Sequence, residues 1–228
     1  MLLLARFITP AVTSLKGGSD VTSAAYTVKG VLEQGRNYAM ANNTYVWVGF
    51  FEESAGQAST SPATGGTGRV VLSIVASKDG TIVYNPNSLA PIDPTRLIQV
   101  TKLTKIDGIH LATFADGSGT PPADTFDTRP PVGWNTARIG DTTPPNQSLT
   151  SFQYPVGNPA PAAQYTFVKA IEFSPRGEAR IDNSNYTYRQ VQEVGLRPAH
   201  GTIAASNNPN VVALQYSAFG GIFRIYRR

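Results

Sequence analysis

The chain contains two histidines, His110 and His200, and no cysteine. Disulfides, thiolate metal sites and a thiol nucleophile are therefore excluded, and zinc would need more ligands than two imidazoles supply. Neither histidine sits at a spacing that provides a second ligand, and His200, within Arg197-Pro198-Ala199-His200-Gly201, is expected to hydrogen-bond locally in a turn. No serine falls in a G-x-S-x-G elbow. Gly65-Gly66-Thr67-Gly68 leads into a strand pattern rather than a helix, so it reads as a turn and not as a phosphate loop. Asp116, Asp124, Asp127 and Asp141 offer oxygens of the kind hard cations take, but their spacing matches no calcium loop and they read as surface carboxylates. No triad, dyad or metal set presents itself. The expectation is a protein that is not an enzyme and holds no cofactor or metal.

Two further groups could bind without reacting. Arg224, Arg227 and Arg228 form a basic C-terminal cluster interleaved with Phe223 and Tyr226, able in principle to meet a phosphate backbone. Strand alternation would put Arg224 and Tyr226 on one face. Trp134, Phe126, Phe152 and Tyr154 are isolated aromatics in a proline-rich stretch. They would either tether that stretch to the body or form a recognition platform, for instance for carbohydrate. The net charge of +4 is too small to indicate nucleic acid by itself.

The elements that must carry these residues follow from pattern. With 228 residues, 41% hydrophobic and 15% charged, the chain can bury one sizeable core. After Gly17-Gly18, Ser19 and Asp20 are candidate N-caps. Val21, Ala25, Val28, Val31, Leu32, Gly35 and Ala39 then recur at helical spacing, with Asn42-Asn43 as the stop. One face of that helix must pack on something large. Strand-like runs follow at 45–51, 69–77, 95–114 (two strands around Asp107-Gly108), 165–181 and 210–228 (two runs around Gly220-Gly221), with "IVY" after the Lys78-Asp79-Gly80-Thr81 turn. The run 186–196 reads equally as strand or short helix. Residues 115–163 hold no period and read as a large irregular insertion.

The opening "MLLLARFITPAV" is apolar but interrupted by Arg6 and Pro10. It lacks the layout of a secretory signal and ends too early at Lys16-Gly17-Gly18 for a membrane span of about 20 residues. An apolar helix of this kind needs a membrane or neighbouring helices to cover it. Pro10 and Gly17-Gly18 would bend or unwind it, and Arg6 would need a partner in any packed bundle.

Three stretches resemble the type IV pilin superfamily, closest to the class H minor pseudopilins of type II secretion and related minor pilins. These are "LLLARFITPAVTSLKGGSD", "VKGVLEQGRNYAMANNTYVWVGF" and "IEFSPRGEARI", the last with Phe173, Pro175 and Gly177 at the positions of the family's hairpin. "VGLRPAHG" and "GGIFRIYRR" are similar to a pilin-like group of the Verru_Chthon gene cassettes. The resemblance implies an α+β fold, a long N-terminal helix packed on an antiparallel sheet. It divides the chain into an assembly segment at 1–18 and a globular domain at 19–228. Leu2, Leu3, Leu4, Phe7, Ile8, Pro10, Val12 and Leu15 would form the assembly helix. It further implies other pilin-like subunits as partners, residence in the inner membrane before assembly, and a final place in the cell envelope or a surface filament. The family's processing signal does not occur in this sequence, so aligning Pro10 with the family's proline implies further helix upstream of Met1. A DNA-binding minor pilin using the three arginines and a secreted carbohydrate-binding β-domain are the alternatives.

Overall fold

The computed structural model describes residues 2–83, 90–141, 150–181 and 190–228, with residues 2–20 and Asn135 described by their backbone alone. Helix α1 (Leu2–Ala41) runs unbroken through Pro10, Gly17-Gly18 and the expected caps Ser19 and Asp20. The expected unwinding is absent because a long helix propagates cooperatively, and one proline or glycine costs only about 1–3 kcal/mol against many favourable turns. Its end is local chemistry. Asn43 takes a left-handed φ of 48°, and the Thr44 amide returns to the Ala39 carbonyl at 3.0 Å.

The strands are β1 (Val46–Ser54), β2 (Gly68–Ser77), β3 (Leu97–Gln99), β4 (Thr104–Leu111), β5 (Arg138–Ile139), β6 (Phe152–Tyr154), β7 (Tyr165–Phe167), β8 (Lys169–Phe173), β9 (Ala179–Arg180), β10 (Val191–His200), β11 (Ile203–Ala204), β12 (Val212–Ser217) and β13 (Phe223–Arg227). Among the described residues, eleven form one sheet with the path β13-β12-β10-β4-β2-β1-β8-β9, to which β3, β5 and β11 add short pairings, while β6 and β7 pair separately. Among the described residues the strands pair antiparallel except β5 with β10, and Ile92 makes an isolated parallel bridge to Phe152 of β6.

Alternation along the central strands fills both sides of the sheet. Val46, Val48, Phe50, Leu72 and Ile74 share one cluster with Val21, Ala25, Val28, Leu32 and Ala39 of α1. Trp47, Val71 and Val75 point the other way, into a cluster closed by Phe152, Tyr165 and Phe167. Beyond it, Ala112, Phe114, Phe126, Val211, Ala213 and Tyr226 make a third cluster. Each large apolar side chain so buried contributes about 1.5–3 kcal/mol.

This arrangement corrects the expected α+β pilin-like class. Among the residues described with their side chains, strand accounts for 38%, in a sheet of 11 strands, and helix for only 14%, so the body is a mostly antiparallel β protein. The physical reason lies in the two-sided burial. A helix can close one face of a sheet, but here the second face is equally apolar and is closed by the β6–β7 pair and parts of the insertion.

Local expectations are corrected as well. Asp107-Gly108 does not join two strands. It lies inside β4, where Gly108 has φ 73° and the register with β2 jumps from Gly68–Ile109 to Arg69–Asp107, so the turn-forming dipeptide is a bulge. Ile82 and Val83 are not strand, and Tyr84 lies outside the described residues. Of the ambiguous run 186–196, the part from Val191 is strand β10 and residues 186–189 lie outside the described ones. The insertion contains β5 and β6 and is not wholly irregular.

Two glycines of α1 separate propensity from packing. A Cβ on Gly30 would meet nothing within 4 Å, whereas one on Gly35 would lie 2.7 Å from Val48 Cγ2. Gly30→Ala is expected to stabilise by about 1 kcal/mol, and Gly35→Ala to destabilise by about 1–3 kcal/mol. Thermal melts of the two variants, moving in opposite directions, check the docking of α1.

Candidate functional site

The most concentrated polar chemistry lies where β1 runs past its apolar part into Glu52 and Glu53. Glu52 is 6% exposed. Its carboxylate accepts from the Gly68 amide at 3.0 Å and the Leu111 amide at 3.3 Å. His110 Nδ1 lies 2.9 Å and 3.0 Å from the two carboxylate oxygens. On its other side, His110 Nε2 is 4.0 Å from Asp141 Oδ1, and the Thr113 amide holds Asp141 in place at 2.8 Å.

A cavity of about 330 Å³ opens here, lined by Phe50, Glu52, Gly66, His110, Val168 and Lys169 among others. Lys169 is 3% exposed and donates to the Gly140 carbonyl. Strand pairing explains its position, since it stands opposite Phe50 at the last rung of β1 with β8. Burial pushes the Lys169 ammonium down to about 8, against the attraction of Glu52 and Asp141. Among the described residues no group of three or more His, Asp or Glu could hold a metal ion.

Other buried charges are knitted into the architecture. Burial raises the Glu53 carboxyl, but hydrogen bonds from Ser59, Tyr165, Arg69 and Lys105 outweigh it and hold the group below its ordinary range. Arg129, 1% exposed, donates to Glu193 at 2.7 Å and to the carbonyls of Phe126 and Ala115 at 2.7 and 2.6 Å. Burial raises the Asp116 carboxyl too, and the Val132 amide, the Arg138 charge and the Gly133 amide more than offset it. Glu172 is fully buried beside Trp47 Nε1 at 3.2 Å and Arg180 Nε at 2.7 Å.

The sequence-derived candidates are distributed as follows. Val21, Ala25, Val28, Leu32, Gly35 and Ala39 are buried and Val31 is half-buried. The side chains of Leu2, Leu3, Leu4, Phe7, Ile8, Pro10, Val12 and Leu15 lie outside the described residues. Phe173 is in the core, and Gly177, at φ 78°, closes the turn after Pro175 with its amide 2.8 Å from the Ser174 carbonyl. Arg36 of α1 donates to the Gly177 carbonyl at 3.0 Å, tying helix to turn.

The aromatic platform does not form. Phe126 and Phe152 are buried at 5% and 0%, Tyr154 is half-buried against Tyr165, and Trp134 alone of the four is exposed, at 56%. Their apolar surface is used to hold the insertion down. Nor do the three arginines gather on one face. Arg224 and Arg227 are exposed on β13 at positions of opposite parity, and Arg228 pairs with Asp127 and covers the Phe126 ring. Of the four aspartates, Asp116 and Asp127 are engaged by arginines and Asp141 by Thr113, so they do not converge.

No family model, curated protein or solved structure matches the chain. Sequence reasoning missed Glu52 and Lys169, and it took His110 as isolated because its partner lies 58 residues away. A faint signal existed. "YVWVGFFEES" and "YTFVKAIEF" each place charge in a run otherwise apolar on both faces, and a charge so placed is buried with a partner or beside a cavity.

The depressed Lys169 gives a pH dependence of defined sign. Between about pH 8 and the ordinary lysine value of 10.5 the unfolded chain holds a proton that the folded chain has released, so the Lys169 contribution to stability rises with pH across that window. Urea midpoints of wild type and Lys169→Met at pH 7 and pH 9.5 check this. The advantage of the methionine variant is expected to shrink at the higher pH.

Proposed function

We propose that the chain is a non-enzymatic structural subunit that assembles through its N-terminal helix into a pilus-like or type II secretion pseudopilus-like filament. The supporting observation is the continuity of α1. The stretch from Val21 to Ala39 is locked into the core of the β body, and the same helix runs back without interruption to Leu2, through the apolar segment at 2–15. At 1.5 Å per residue the segment upstream of Val21 is about 28 Å long. A helix of that composition is stable in water only when covered, and stacked copies of the same helix provide such cover.

Because the fold class departs from the one the family resemblance implies, the reading rests on this helix and on the turn at Pro175 and Gly177, not on the sheet. The partners it implies are further copies or related subunits, with the membrane holding the helix before assembly and the cell surface as the final place. Among the described residues no helix is long and apolar enough to cross a membrane.

The full chain is expected to form oligomers or associate with detergent micelles, measured by size exclusion with light scattering. The double variant Phe7→Asp, Ile8→Asp and a variant lacking residues 2–18 should both run as monomers. Their melting temperatures should stay within about 2 °C of the parent domain transition. Oligomers that persist in both variants, or unfolding of the truncated one, would overturn the reading.

A further inference from the structure

The cavity beside His110 holds a feature the assembly reading does not use. Lys169 is almost fully buried, yet among the described residues no carboxylate forms an ion pair with it, and the Gly140 carbonyl is its hydrogen-bond acceptor. Glu52 cannot easily turn to it, because its carboxylate already takes two backbone amides and His110. A lysine kept as a structural cation would ordinarily be given a counterion, since an unpaired buried charge is costly. Here it lines a cavity of about 330 Å³, at the small end of the range that ligand sites occupy.

The surroundings narrow the class of ligand. Glu52 and Asp141 both project negative potential onto Lys169, which disfavours an anion. Phe50, Phe51, Leu111 and Val168 provide an apolar wall, which suits a neutral molecule with a short hydrocarbon or aromatic substituent. We propose that this cavity is a covalent capture site for a small neutral aldehyde or ketone, with the Lys169 ε-amine as nucleophile and His110, held by Glu52, as the proton carrier.

The chemistry balances without an added reagent. The amine lone pair forms a C–N bond to the carbonyl carbon, and one amine proton passes to the oxygen to give a carbinolamine. Loss of the second amine proton and of the hydroxyl releases one water and leaves a C=N bond. His110, lining the same cavity, can carry each proton between nitrogen and oxygen, and the Glu52 carboxylate orients its ring through Nδ1. The depression of Lys169 toward 8 supplies neutral amine at pH values where an exposed lysine has almost none.

The full-length chain incubated with propionaldehyde and cyanoborohydride at pH 7.5 tests this, with peptide mapping by mass spectrometry to find the reduced adducts. Lys169 should be alkylated about tenfold faster than the exposed Lys78 and Lys102. Its rate should rise with pH to an inflection near 8. His110→Ala should slow Lys169 without changing Lys78 or Lys102, a selective effect that a purely structural role of His110 would not produce. Alkylation of Lys169 at or below the rate of the exposed lysines overturns the proposal, and the wild-type peptide map alone distinguishes the two outcomes even if a variant fails to fold. The inference stands or falls independently of filament assembly, which this experiment does not read.

Discussion

The central strands carry apolar side chains on both of their faces, and a sheet of that kind has to be closed twice. In β1, Val46, Val48 and Phe50 need cover on one side and Trp47 on the other. Helix α1 supplies the first cover. The second comes from β6, β7 and residues of the long connection between β4 and β7, with Phe126, Phe152 and Phe167 as its main anchors. The connection is therefore half of the core rather than an appendage. This requirement also explains why a two-layer arrangement of helix and sheet does not describe the molecule.

Closing the second face with irregular chain brings polar backbone and charged side chains into the interior, where each must be matched. Arg129 is the clearest case. It satisfies Glu193 of β10 and at the same time two carbonyls of its own connection, so a single guanidinium fastens loop to sheet. Glu53 does similar work with Arg69, Lys105 and Tyr165. Against this background of matched charges, Lys169 stands out, because its carboxylate neighbours are already committed elsewhere. The exposed Arg224 and Arg227 have a simpler physical role available. They sit on β13, the end strand of the sheet, and positive charge on an edge strand opposes unwanted pairing with other chains.

Much of the fold was legible from local rules. Helical spacing from Val21 to Ala39, the Asn42-Asn43 stop, the Pro175 and Gly177 turn, and the β12–β13 hairpin around Gly220-Gly221 all depend on residues within a few positions of one another. Local rules also misled. Pro10 and Gly17-Gly18 suggested a break that cooperative propagation of α1 overrides, and Asp107-Gly108 suggested a turn where pairing with β2 makes a bulge. The isolated aromatics were ambiguous because their hydrophobicity says that they bury surface, not whether the surface is the protein's own or a partner's. The structure decides this for Phe126 and Phe152, which are core.

By itself, the sequence determined the apolar helix, the wealth of strands, the absence of thiol chemistry and the two-faced apolarity of β1. Each is a property of composition or of periodicity, which acts along the chain. Only the tertiary structure decided that eleven strands of the described residues share one sheet, that its second face is sealed by β7 and the long connection before it, and that Glu52, His110 and Lys169 meet around one cavity. Those outcomes depend on strand order and register, which bring residues 52, 110 and 169 together across long loops. Pairing of that range is set by the packing free energy of the whole sheet, and no short window of residues encodes it.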